Sequence, residues 1–266
     1  MIDNPRGAQA KRVAALIRKK DRLAQGRFLV EGPQAVRELL THRADAAVVV
    51  YATTGNESWQ HELDSLASEA GVVIERVTEP VLAAMSDTVQ PQGVVAVARM
   101  EPRDLDAALR GARLVAVLHE VRDPGNAGAV LRAADAAGAD AVIFSGDSID
   151  PWHPKVVRST TGSLFHLPVA TSRSLEEVMS AVQAAGLTAA AADVRGSLLT
   201  DDAQQTVLRG AVAWIFGNEA RGLTDSERSL ADTVIRLPIY GHAESLNLAT
   251  AASVCLYTTA FAQRSV

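Results

Sequence analysis

Three glycine-bearing loops hold the side chains of this chain that could do chemistry. They read HEVRDPGNAG over 119–128, IFGNEARGLTDS over 215–226 and LPIYGHAESLNLATAAS over 237–253. Glycines at 125, 128, 217, 222 and 241 allow backbone to approach a ligand closely. Asn126, Asn218, Glu219, Arg221, Ser245 and Asn247 stand beside them, and Arg132 follows within the next helical turns. Taken singly, each has an ordinary explanation: Asn126 or Ser245 can cap a helix, and Gly-Asn can simply turn the chain. Three such loops at successive strand ends point instead to a shared ligand. GNAG does not supply the G-x-G-x-x-G of a dinucleotide site, although Asp147 lies at about the offset of a ribose-binding carboxylate.

The elements that must position these loops are those of an α/β protein. RLVAVLHEV is a near-continuous apolar run, as expected of a strand covered on both faces, and DAVIF, LTAAAAD, AVAWIFG and TVIRLPI follow as further strands. Open parallel sheets bind ligands beyond the carboxyl ends of their strands, which places the chemistry in the loops after Leu118, Phe216 and Leu237. Ser174 with Glu177 and Thr224 with Glu227 have capping-box spacing, Gly138 and Gly186 stand as helix stops, and the last helix is predicted from Ser245 or Leu246 to near Gln263. Upstream, RFLVEG, AAVVVY, VVIERV and GVVAVARM read as strands, alternating with helices near Pro33–Leu40, Glu57–Ala70 and Glu79–Met85. The polar segment MEPRDLD separates the halves, giving domains over 1–104 and 105–266.

Composition narrows the partners. With 266 residues, 48% apolar and 21% charged, the chain can bury a sizeable core, and it has no apolar run long enough to span a bilayer. No apolar segment follows the N-terminal positive charge as in a secretory signal. Cys255 is the only cysteine, so intramolecular disulfides and cysteine metal clusters are excluded and a cytoplasmic setting is expected. Net charge is −5, yet residues 1–27 carry +6, leaving −11 for the rest. Lys11, Arg18 and Arg22 fall on one face of a predicted amphipathic helix whose apolar stripe is Val13, Leu16, Ile17 and Leu23 or Ala24. That face is either simply solvated or a phosphate-contacting patch.

Together, DPGNAGAVLRAADAAGA, IFGNEARGL and LPIYGHAESLNLATAASVCLY resemble, in order and spacing, the three motifs of the SpoU/TrmH family of RNA ribose 2′-O-methyltransferases, within the SPOUT superfamily. HPKVVRSTTGSLFHLPV is similar to the segment between the first and second motifs, and FLVEGPQAVRELL resembles the L30e-like substrate domain of rRNA-modifying members. Leu237 departs from the commoner isoleucine and keeps an apolar contact.

The resemblance implies a C-terminal α/β fold with a deep trefoil knot, preceded by a smaller L30e-like α/β domain, and a homodimer formed through the knotted domain. It implies S-adenosylmethionine as cofactor, with Gly217, Leu237, Ile239 and Leu246 lining its pocket and no metal at the reaction. Arg132 stands where the family places its base, with Asn126, Glu219, Ser245 and Asn247 orienting it, the ribose and the cofactor loop. A guanidinium loses its proton only above a pH of about 12, so stabilising the developing alkoxide and gripping a phosphate is the easier role. The partner implied is RNA, rRNA before tRNA, with Lys155 and Arg158 as further phosphate contacts and Phe28, Trp152 and Tyr240 as candidates for stacking on bases. An oxidoreductase using a dinucleotide and an RNA-binding scaffold with a vestigial site are the rival readings.

Overall fold

The computed structural model describes residues 1–264, which form two compact units. The first comprises 1–101 together with 150–166, and the second comprises 102–149 with the chain from 167 onward. The expected division into two contiguous stretches therefore has an exception, because 150–166 packs with the N-terminal unit. No helix among the described residues is long and apolar enough to cross a membrane.

In the first unit, strands β1 (Arg27–Glu31), β2 (Ala47–Thr53), β3 (Ile74–Val77) and β4 (Val94–Arg99) form one sheet in the order β1-β4-β2-β3. β4 runs antiparallel to β1 and β2, and β3 runs parallel to β2. Val13, Leu16, Leu29, Val81, Leu82, Met85 and Val95 meet in one apolar core.

The single basic N-terminal helix expected from the sequence is two helices, Ala8–Ala15 and Lys19–Gln25, broken where Arg18 turns extended at φ −89° and ψ 131°. The cause is Arg22, whose side chain is 0% exposed. Its guanidinium donates to the carbonyls of Leu16 (3.0 Å) and Ile17 (2.7 Å) and to Asp150 Oδ2 through Nε (3.0 Å) and Nη2 (2.6 Å). Arg22 is thus an internal tie and is not available to a phosphate, while Leu23, expected in the apolar stripe, is exposed. Arg158 is likewise committed, donating to Glu31 (3.1 Å) and Asp87 (2.8 Å). Phe28 and Trp152 are buried, leaving Tyr240, of the second unit, as the one exposed member of the expected stacking trio.

In the second unit, six strands run parallel throughout, in the order β10-β8-β9-β5-β6-β7. They are β5 (Leu114–His119), β6 (Ala141–Ser145), β7 (Val169–Ser172), β8 (Thr188–Leu198), β9 (Val212–Phe216) and β10 (Thr233–Arg236). Every residue of β5, β6 and β9 is buried, as the apolar runs predict.

β8 extends beyond the expected LTAAAAD. Ala190 and Ala191 pair with Thr233 and Val234, then Ser197 and Leu198 pair with Ile235 and Arg236, so residues 192–196 bulge out of register. Gly196 permits this because a Cβ there would collide with the backbone of Val234. The expected capping box at Thr224 and Glu227 forms in full. At Ser174 only half of it forms, because Glu177 accepts from Ser172 instead of reaching back. The last helix spans Leu248–Arg264 and starts later than expected, since Asn247 rather than Ser245 accepts from the first amides, those of Ala249 (2.9 Å) and Thr250 (3.4 Å).

Candidate active site

β5, β9 and β10 end beside one another's loops, and these loops close around a cleft of about 550 Å³ in the second unit. Asp123 caps the Pro124–Ala137 helix by accepting from the Asn126 amide at 2.7 Å, and Pro124 starts the helix at a position where its missing N–H costs nothing. The Asn126 side chain is therefore not a cap. Its Nδ2 donates to Glu219 Oε1 at 3.4 Å, and its Oδ1 accepts from Asn247 Nδ2 at 3.0 Å. Glu219 also accepts from the backbone amides of Arg122 (3.2 Å) and Asp123 (3.1 Å), so both of its oxygens are turned to the first loop.

The second loop is held from beneath. Asn218 Nδ2 donates to the Glu120 carbonyl at 2.9 Å, where Glu120 itself adopts φ 54°. Arg221 grips both oxygens of Glu227 (2.8 and 2.9 Å), and that pairing holds the Glu227 carboxyl down to about 2 against an ordinary value of 4.5. Buried His119, at the end of β5, links Glu227 (3.1 Å) to Ser145 (2.9 Å). Arg221 is thus a tie within the loop. Gly217 is required for a reason internal to the fold: a Cβ there would stand 2.7 Å from the carbonyl carbon of Gly222 and 2.8 Å from Leu223.

Of the residues expected at the site, Gly217, Leu237, Ile239 and Leu246 all line the cleft, as do Asn126, Glu219, Ser245 and Asn247. Arg132 does not. It is exposed on the Pro124–Ala137 helix and makes no hydrogen bond or ion pair with another described residue. Asp147, the support for a dinucleotide reading, is 82% exposed, pairs with Arg122 and does not line the cleft. The apolar pattern predicts no bulge in β8, yet Asp193, Val194 and Arg195 of that bulge form one wall of the cleft with Arg228. The signal was the polar DVRG interrupting an apolar strand.

The family model of the SpoU rRNA Methylase family matches residues 113–257, which contain all three loops. The chain belongs to this family. In this SpoU-family chain, residues 8–96 also match the MRM3-like substrate binding domain. It is 32% identical over 258 residues to the 23S rRNA (guanosine(2553)-2′-O)-methyltransferase RlmP of Bacillus subtilis, covering 96% of this chain and 97% of that one. It is 33% identical over 261 residues to the 23S rRNA (uridine(2479)-2′-O)-methyltransferase of Streptomyces viridochromogenes, covering 92% and 86%. Among solved structures, the SpoU methyltransferase AviRb from S. viridochromogenes in complex with AdoMet aligns with a TM-score of 0.83 and 28% identity, over 98% of this chain and all of that one.

Proposed function

We propose that the protein transfers a methyl group from S-adenosylmethionine to a ribose 2′-hydroxyl of RNA, with 23S rRNA as substrate. The observation that carries this is the meeting of three loops in one cleft, joined by the Asn126, Glu219 and Asn247 side chains. The cleft suits the cofactor. Its volume lies within the range of about 300–1,000 Å³ of small-molecule sites. Phe216, Leu223, Ile235, Leu237, Ile239 and Leu246 offer apolar surface, and Asp193 and Arg195 add a carboxylate and a guanidinium to the lining. Such a lining matches a ligand with an apolar ring, a cationic centre and an amino-acid end.

When bound, S-adenosylmethionine supplies a methyl group already activated on a sulfonium. The protein then has to orient the 2′-hydroxyl, assist loss of its proton and exclude water. Leu237, Ile239 and Leu246 hold the cofactor, while Asn126, Glu219 and Asn247 act as positioning residues that keep the loops in register. Ser245, exposed in the third loop, places a hydroxyl on the cleft lining. Arg132 carries a guanidinium that pairs with no other described residue, which leaves it available to stabilise the alkoxide and the adjoining phosphate as a cation.

We assign RNA recognition to the N-terminal unit, read as an L30e-like domain. Lys11, Arg12, Arg18, Lys19, Lys20 and Arg27 are exposed there and contribute phosphate contacts that position without reading sequence. The segment from β10 to the last helix is read as the threaded part of a trefoil knot. Val254, Tyr257 and Phe261 follow one another at helical spacing as an exposed apolar face of the last helix, which supports a homodimer through this unit.

The test is incubation of rRNA and tRNA with labelled cofactor, followed by mapping of the modified nucleoside. Label in a single 2′-O-methyl position of 23S rRNA is expected. Label in tRNA alone would replace the substrate, and label on a base would overturn the reaction.

A further inference from the structure

The first unit holds a cluster of metal-ligating side chains that methyl transfer does not use. Glu38 and His42 lie one turn apart on the Pro33–His42 helix, and His166 closes the short 3-10 turn Ser163–Phe165. Glu38 Oε2 stands 3.4 Å from Nε2 of His42 and 3.3 Å from Nε2 of His166, and the three ligand atoms all lie within 4.8 Å of one another. We propose that Glu38, His42 and His166 form a Zn²⁺ site that pins segment 150–166 to the Pro33–His42 helix.

The separations suit ligands around one ion, with His166 Nε2 also within hydrogen-bond reach of Glu38 at 3.3 Å. Charge-assisted hydrogen bonds between nitrogen and oxygen run to about 2.7–2.9 Å, shorter than either distance. Zinc bonds of about 2.0–2.1 Å at tetrahedral angles place neighbouring ligand atoms about 3.3–3.4 Å apart. The imidazoles of His42 and His166 meet with centroids 4.4 Å apart and planes at 65°, so only a small side-chain adjustment brings the third edge to that length.

The surroundings are built to the same end. Glu38 Oε1 accepts from Gln34 Nε2 at 2.6 Å, and Gln34 Oε1 accepts from Arg37 Nη1 at 2.7 Å, so the carboxylate is oriented by an outer partner as metal ligands commonly are. Gly162, at φ 107°, lies against the Glu38 side chain, and a Cβ there would collide with Glu38 Cβ and Cγ. A glycine is therefore what allows the chain to carry His166 up to the helix. His42 is exposed, which leaves an entry path and room for water as the fourth ligand. Two imidazoles and one carboxylate are a donor set that suits zinc among the common divalent metals.

The experiment is a calorimetric titration of untagged, metal-stripped full-length protein with zinc chloride, with thermal melting in parallel. Uptake of one equivalent and a raised melting temperature are expected. Glu38→Gln and His166→Ala should each weaken uptake at least tenfold and remove the thermal shift. His61→Ala, which alters an exposed histidine bonded to Asn56, should leave both intact. Failure of the wild-type chain to take up stoichiometric zinc, or wild-type affinity in either ligand variant, would overturn the site. Neither readout depends on methyl transfer.

Discussion

Asn247 donates to the side-chain carbonyl of Asn126 across 3.0 Å although 121 residues separate them along the chain. Because Asn247 also accepts from the first amides of the last helix, and Asn126 reaches Glu219, one line of polar contacts registers all three loops against one another. Loss of either asparagine therefore disturbs the neighbouring loops as well as the stretch of cleft that the residue itself lines.

Asn126→Ala and Asn247→Ala should each weaken S-adenosylmethionine binding by about 1–2 kcal/mol, a factor of roughly 5 to 30, as expected when one hydrogen-bonded partner is removed. The double variant should lose little more than either single one, since both break the same contact. Calorimetry with the cofactor measures this directly, and fully additive losses would disconnect the two residues.

Gly217→Ala tests the fold before it tests the ligand. With a Cβ 2.7 Å from the Gly222 carbonyl carbon, the second loop must shift, and a loss of about 1–3 kcal/mol in unfolding stability is expected even without cofactor. Unchanged denaturant unfolding would return Gly217 to the simple role of leaving space for the cofactor.

The basic N-terminal residues divide into two groups. Arg22→Ala leaves the Asp150 carboxylate buried without its partner and should cost about 3–5 kcal/mol of stability. Lys11→Glu with Lys19→Glu, both on exposed positions, should leave stability nearly unchanged while weakening RNA binding and flattening its salt dependence. An RNA titration across salt concentrations with each protein separates these outcomes.

Glu227 provides a pH signature. Its carboxyl is held down to about 2, chiefly by Arg221, so its stabilising contribution is complete above an ordinary carboxylate value of 4.5 and is lost as pH falls from there toward 2. Allowing for solvent screening of the pair, the contribution is on the order of 1 kcal/mol. Glu227→Gln should therefore be less stable than wild type at pH 7, and the gap should narrow below pH ~4. Urea unfolding at both pH values checks the sign, and a gap that widened in acid would contradict it.

The parts of this molecule that were legible in the sequence are those whose signal is local. The apolar runs of β5, β6 and β9 announced buried parallel strands, and the Gly, Asn and Glu of the loops announced the cleft that they line. What was not legible depends on partners far along the chain. Arg22 reads as a surface cation until Asp150, 128 residues away, draws it inside and breaks the helix. Arg158 is hidden in the same way by Glu31 and Asp87. β7 gives no strand signal in the sequence, because an edge strand of four residues, two of them Thr171 and Ser172, carries too little apolar pattern. The β8 bulge follows from a register shift that only its pairing with β10 reveals.

We infer that the three-loop site methylates a ribose hydroxyl with Arg132 supplying the stabilising cation. The most direct measurement is single-turnover methyl transfer to rRNA at saturating cofactor by wild type, Arg132→Ala and Arg132→Lys. Arg132→Ala should keep its fold and its affinity for S-adenosylmethionine, because Arg132 is exposed and lines no part of the cleft, yet lose rate by a factor of about 10² or more as a transition-state interaction disappears. Arg132→Lys should recover little, since an ammonium cannot span alkoxide and phosphate as a planar guanidinium does. Wild-type turnover in Arg132→Ala would remove Arg132 from the reaction.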